Sequence, residues 1–516
     1  MPQFHIYSTT SSEVIAGRII TSTEKEPDVG KVDYESFSAG VRRAKNSYIK
    51  NVLIYVITAV LQYSVVNGSF SLMTSLAGER KGFAALVVTY ISTMLAILTP
   101  GLIASLGCKA VIIMTNIGYL IFSIGNFTVQ YYTLLPAAVF AGYSVGSVWI
   151  CGTTYLNLLG MNYAKYHKTT ENKMISYTNG ISMFCFSSGF LFGNAVSSLL
   201  LSPTRDNDAV KVVNSTDECS LEPENIAENV WVYALRGTLT GMCILSLFLL
   251  IFLDNVKDET VNCKKISVKN LVTNIKETVI DFGKGCMQLR IGLVLPLLIA
   301  AGIEIAYFPG TFSRVYIAEC VGVHVVGYVF IVYGAASAIA SVSVGKLLGH
   351  VSITSVSLLN VCLNIGLVSF LLIWERQPNY FVMFTVAILW GICDGAWSTL
   401  ISSYLAINLQ GCLHVAHCTF VLPYMLGYVI NYGFGLVFTS EYMLLLVAGG
   451  YLVAIPPYLI AEWLSNRRSF SQCLVSPESC HDQGTCIYLL ACGSHLNLSN
   501  KSKFLSLNWS EISSSF

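Results

Sequence analysis

Two carboxylates stand inside apolar blocks of this sequence. Glu304 lies in Gly302-Ile-Glu304-Ile-Ala-Tyr307, and Asp394 lies in Leu389-Trp390-Gly391-Ile-Cys-Asp394-Gly-Ala-Trp397, followed by Ser398. On a helix, Tyr307 falls on the face of Glu304, and Trp390, Trp397 and Ser398 fall on the face of Asp394. A carboxylate at the centre of a lone membrane helix costs about 2.5 to 3.5 kcal/mol, so it turns toward a cavity or a partner. Two arrangements meet that requirement. In one, the acids and their rings line a cavity where the rings accept a cation or the acid exchanges a proton. In the other, each acid is neutral and hydrogen bonded to a neighbouring helix. Trp149, in another apolar block, completes the candidate set of Glu304, Asp394, Tyr307, Trp149, Trp390 and Trp397.

The elements that must position these residues are membrane helices. The chain has 516 residues, 54% hydrophobic and 11% charged, against roughly 25% charged in soluble domains. Apolar blocks of about 20 residues match a hydrocarbon core about 30 Å thick. Six such segments precede a long polar connection: Asn51 to Leu76, Phe83 to Ile103, Ala110 to Val129, Leu134 to Leu158, Ile175 to Leu201 and Val230 to Leu253. Six follow it: Ile291 to Pro309, Val323 to Leu348, Ile353 to Trp374, Tyr380 to Ser402, Val415 to Phe438 and Tyr442 to Leu464. The seventh is the shortest. The expected fold class is all-α, twelve transmembrane helices in two six-helix halves. The parts are a tail (1–47), a first half (48–253), a linker (254–289), a second half (290–464) and a Cys-containing tail (465–516). Residues 1–47 lack the apolar core of a cleavable signal peptide, so the first span is expected to direct insertion.

Basic residues collect in cytosolic loops. With the N-terminus inside, twenty-three of the 30 Lys and Arg fall on the cytosolic side and seven on the other. Both termini are therefore expected in the cytosol. Asn214-Ser215-Thr216 lies in the acidic outer connection and reads as a glycan acceptor. Cys219 and Cys320 fall on the same oxidising side, where a bridge between the halves and two free thiols are both compatible with the sequence. Arg314 and Glu319 flank the outer mouth of the seventh span, positioned for an interfacial ion pair. Arg236, about one turn inside the sixth, is expected to snorkel to the headgroups.

Several chemistries are excluded or unsupported. The net charge of +1 gives no field that would gather nucleic acid. No Walker A, dinucleotide or zincin motif occurs, so no catalytic residue and no cofactor is assigned. His324, His414 and His417 sit at helix ends as interfacial hydrogen bonders, and no metal site is proposed. Many of the 16 cysteines lie inside apolar blocks, such as Cys151, Cys185, Cys243, Cys362 and Cys393, and are packing residues. Cys473, Cys480, Cys486 and Cys492 lack zinc spacing; Cys473 is a palmitoylation candidate in a tail otherwise expected to be reduced and disordered.

Internal echoes suggest a duplicated bundle. Gly101 to Lys109 resembles Gly345 to His350, and Gly142-x-x-x-Gly146-x-x-Trp149 resembles Gly391-x-x-x-Gly395-x-Trp397. Parallel six-helix halves with a site between them are the layout of major facilitator transporters. Around Glu304 and Asp394, in Leu106-Gly107-Cys108-Lys109 and in Lys50-Asn51, the chain resembles the Unc-93-like family, a divergent branch of that superfamily. The likeness runs from about Lys50 to Trp463. It implies an accessory role: family members regulate a two-pore-domain potassium channel in nematodes and escort nucleic-acid-sensing receptors in vertebrates. One departure bears on mechanism. Facilitators carry an Asp and an Arg between the glycines after the second span, whereas this chain has Ala104-Ser105-Leu106. The resulting expectation is a non-enzymatic regulator of another membrane protein, such as a potassium channel, in the plasma membrane. The alternative is a proton- or cation-coupled transporter of a small solute. The loop from Ser403 to His414 has no charged residue to dock a partner ionically.

Overall fold

Hydrocarbon offers no hydrogen bonds, so a spanning segment must pair its own backbone groups, and a helix does so within about 20 residues. The computed structural model describes residues 30–97, 106–166, 171–204, 219, 229–256, 268–287, 289–348, 350–408 and 413–475. Among them there is no strand, and eleven helices are long and apolar enough to cross a membrane. In chain order the first half comprises α1 (Gly30–Phe70), α2 (Glu79–Ile97), α3 (Cys108–Gly125), α4 (Tyr131–Tyr166), α5 (Glu171–Leu201) and α6 (Val230–Leu250). A linker helix, Val268–Met287, precedes α7 (Leu289–Tyr307), α8 (Val323–Leu347), α9 (Ile353–Ile373), α10 (Tyr380–Asn408), α11 (Leu413–Gly435) and α12 (Ser440–Val475). The expected segment Val415 to Phe438 corresponds to the helix α11, and the other eleven expected segments correspond to the eleven helices that are long and apolar enough to cross.

Local chemistry sets several boundaries. Asn229 caps α6 by accepting from the Trp231 N–H at 3.0 Å, and Ser352 caps α9 by accepting from the Ser355 N–H at 3.2 Å. Two boundaries differ from the sequence reading. α1 starts at Gly30, inside the stretch read as a polar tail, because that stretch has no proline after Pro27 to stop a helix. The seventh span does not end at Pro309. α7 passes into a π-helix, Phe308–Ala318, and the continuous span Ile291–Val321 has the most buried window, 72% against 33% for α12. Pro309 sits at the start of the π-helix, where its missing N–H is tolerated.

Helix pairing carries the duplication. In the first half α1 packs on α5 and α6, α4 on α2 and α3, and α3 on α6. In the second, α7 packs on α11 and α12, α10 on α8 and α9, and α9 on α12. Adding six to each label converts one set into the other. The halves meet along α5 with α8 and α2 with α11, a pair of seams that the same rule exchanges. Glycine permits the closest crossings. Gly142 and Gly146 of α4 face Thr89 and Thr93 of α2, and Gly391 and Gly395 of α10 face Tyr333 and Ser337 of α8. At each of these glycines a Cβ would press into a facing carbonyl, 2.8 Å away even at Gly146.

The ends of the bundle differ. At one, Asp254 closes the first half: Lys50 Nζ donates to Oδ1 at 2.8 Å and Asn51 Nδ2 to Oδ2 at 2.9 Å. The Asp254 N–H donates back to Asn51 Oδ1 at 2.8 Å, and the Tyr155 hydroxyl donates to the Asp254 carbonyl at 2.9 Å. The Lys50 hydrogen bond, followed by that of Asn51, holds the Asp254 carboxyl below the usual carboxylate range. At the other end Cys219 and Cys320 form a disulfide that ties the α5–α6 connection to the end of the seventh span.

Candidate functional site

α7, α10 and α12 converge on Glu304, which is fully buried. Its Oε2 accepts from the Tyr451 hydroxyl at 2.9 Å. The Trp390 indole acts on the same carboxylate, while Oε1 makes no well-formed hydrogen bond. Two stacked ring pairs flank the acid: Tyr307 on Trp390 at 5.5 Å and Tyr451 on Trp397 at 5.8 Å. Helical spacing produces this arrangement, since Glu304 and Tyr307 are one turn apart on α7 and Trp390 and Trp397 two turns apart on α10.

Asp394 lies on α10 where it meets α8. Ser337 Oγ donates to its Oδ2 at 2.9 Å, and the Tyr333 hydroxyl, one turn away on α8, bonds the same carboxyl. Tyr333 also stacks on Phe308 at 4.3 Å and approaches Phe190 of α5, across the seam, at 6.4 Å. Tyr424 of α11 lies within electrostatic range of both acids; its neighbour Tyr428 stacks on Tyr90 of α2 at 4.4 Å. Asp394 is therefore associated with both seams. It is only partly buried, whereas Glu304 is enclosed. Among the described residues, neither acid has a Lys, Arg or His partner. Each instead takes a hydroxyl hydrogen bond from a neighbouring helix in this conformation. A hydrogen bond to a charged group contributes about 1.5 to 3 kcal/mol, so these partners offset much of the cost of placing a carboxyl group inside the bundle.

Other candidates are distributed differently. Trp149 lies on α4, and its side chain is outside the described residues; so are Asn214, Cys480, Cys486, Cys492 and the side chain of Cys473. Arg314 and Glu319 pair at 3.0 Å, and Arg314 also pairs at 2.8 Å with Glu79 of α2, a partner that sequence reasoning missed. Arg236 does not reach the headgroups: it is only 6% exposed, with its guanidinium 5.5 Å over the Tyr233 ring. Leu72, Met73, Leu76 and Asn126 line, together with Arg236, a cavity of about 30 Å³. His324 is buried rather than interfacial, because α8 begins against α5, whose Ser198 hydroxyl donates to the His324 carbonyl at 2.8 Å. The missed partners Tyr451, Tyr333 and Ser337 had one usable signal: Tyr333 and Ser337 share the four-residue spacing of the glycines they face.

Helices paired in two matching halves, with two acids buried or half-buried within the second, define a polytopic membrane protein of major facilitator architecture. A mutant form of the nucleoside transporter NupG is similar in fold, with TM-score 0.56 and 11% identity over 80% of this chain and 99% of that one. In sequence the chain is related to the Unc-93 proteins. Protein unc-93 homolog A of Bos taurus is 28% identical over 435 residues, 82% of this chain and 94% of that protein. The putative potassium channel regulatory protein unc-93 of Caenorhabditis elegans is 22% identical over 381 residues, 70% of this chain and 53% of that one. No family model matches the chain.

Proposed function

We propose that this chain is a non-enzymatic regulatory or accessory subunit of another membrane protein, a potassium channel in the first instance, acting on its activity or trafficking. Kinship with a protein named as a potassium channel regulator carries the reading. The missing Asp and Arg at Ala104-Ser105-Leu106 support it, because a carrier would use that pair to hold a gating state. The layout is a cytosolic tail (1–47), two six-helix halves (48–253 and 290–464) joined by a cytosolic linker (254–289), and a cytosolic tail (465–516). The bias of basic residues supports cytosolic termini, and the plasma membrane is the proposed location. Asn214 then faces the side where glycans are added. Purification in mild detergent should enrich a channel or receptor over a matched polytopic control, and co-expression should change that channel's current. Enrichment of neither class contradicts the reading.

A second reading, a proton- or cation-coupled transporter, is favoured by one observation: Asp394 keeps exposed surface near both seams and has no basic partner among the described residues. Glu304 and Asp394 would be its coupling groups, with Trp149, Trp397 and Tyr307 along the route. Gradient-driven uptake into proteoliposomes, lost in Glu304→Gln and Asp394→Asn, is what this reading requires. Uptake that is absent, or unchanged in both variants, removes it.

A further inference from the structure

Facilitator halves exchange access by parting at one end of the bundle while closing at the other. Among the described residues, four bonds cross between the halves at the disulfide end. Arg314 of the π-helix holds Glu79 of α2 at 2.8 Å while also pairing with Glu319 at 3.0 Å. The Thr74 hydroxyl, on the short helix Met73–Leu76, donates to the Gly310 carbonyl at 2.8 Å. Ser198 of α5 donates to the His324 carbonyl at 2.8 Å. The Cys219–Cys320 bridge is covalent and joins residues 101 positions apart.

Their geometry is mutually dependent. Gly310, whose carbonyl takes the Thr74 bond, presses so close to Tyr432 and Phe83 that a Cβ there would stand 2.7 and 3.2 Å from their rings. Arg314 lies one turn further along the same π-helix, and Cys320 two residues beyond its last residue. Moving this segment away from α2 therefore breaks the ion pair, the Thr74 bond and the ring contacts together, and the bridge limits how far it travels.

We propose that the disulfide end is a thiol-sensitive latch: with Cys219 and Cys320 joined the halves cannot part there, and reduction releases them. In that step the S–S bond breaks and each sulfur gains one electron and one proton. The two electrons come from a dithiol that closes to its own cyclic disulfide. The latch sets whether the bundle is a fixed frame or a moving one, and it stands whether or not the partner is a channel.

Ser198→Cys places a reporter thiol in the α5–α8 seam, where Ser198 is 1% exposed. The protein is held in nanodiscs and treated with a membrane-impermeant maleimide, and labelling is read by mass spectrometry at residue 198. The oxidised protein should label at least tenfold more slowly than the same protein reduced with dithiothreitol and desalted. Adding Cys219→Ser and Arg314→Gln should give the fast rate without reductant. Both arms carry Ser198→Cys, which removes the Ser198 bond to the His324 carbonyl equally from each, and they differ only in the bridge, so a folding defect in the Cys219→Ser/Arg314→Gln variant leaves the test intact. Equal labelling of oxidised and reduced protein overturns the proposal, and so does slow labelling that persists in the reduced protein.

Discussion

At the disulfide end an ion pair, hydrogen bonds and a covalent bridge run from one half of the molecule to the other; at the Asp254 end the polar contacts described around that residue stay inside the first half. Arg314, 16% exposed at its side chain, faces Glu79 across the seam, whereas Lys50, 49% exposed, faces Asp254, which follows α6 in its own half. The same kinds of residue therefore do different work. A salt bridge between the halves opposes their separation, and one within a half only stiffens a body that would move as a unit. Burial adds to the contrast on one side of the pair: Arg314 and Glu319 are largely shielded, whereas Glu79, 45% exposed, is as open as Asp254, 46% exposed, and exposed partners contribute less.

The largest expected effect is at the bridge. Cys219→Ser removes a link across 101 residues and should lower stability by about 2 to 4 kcal/mol, read as a lower Tm by tryptophan fluorescence in nanodiscs. An unchanged Tm would place the fastening elsewhere. Next comes Arg314→Gln, which leaves Glu79 and Glu319 facing each other without their shared cation. It should cost on the order of 1 to 3 kcal/mol. If Lys50→Gln costs as much, the distinction between the ends fails.

Asp254→Asn should be the smallest change, under about 1 kcal/mol, because the carboxylate side chain is 46% exposed and solvent screens its pair. Its folded pKa lies below the unfolded value of about 3.9. The clamp's contribution is therefore full above that value and is lost as pH falls through the lower, folded pKa. Thermal scans should show no dependence on this group between pH 5 and 8 and a decline below pH 4 that Asp254→Asn flattens. A decline already present at pH 6 that the variant removes would contradict the assignment.

The sequence made the spans legible because an apolar block of 20 residues has few solutions in lipid. It also exposed the duplication, since Gly142/Gly146 and Gly391/Gly395 mark crossings where backbones touch. The seventh span was misread for a physical reason: Pro309-Gly310 looks like a helix stop, yet a π-helix absorbs both residues. Arg236 was misjudged because depth along a helix says nothing about what covers its end. The surroundings of the acids were least legible. Tyr451 is 147 residues from Glu304 and Ser337 is 57 from Asp394, and no local pattern links either pair.

Peptide mapping after differential alkylation tests most directly that the halves are joined at one end. Purified protein is blocked with one alkylating reagent before reduction and a second after it. A peptide pair containing Cys219 and Cys320 should carry only the second label and run as one cross-linked species before reduction. First-reagent label on both cysteines would show two free thiols and contradict the account.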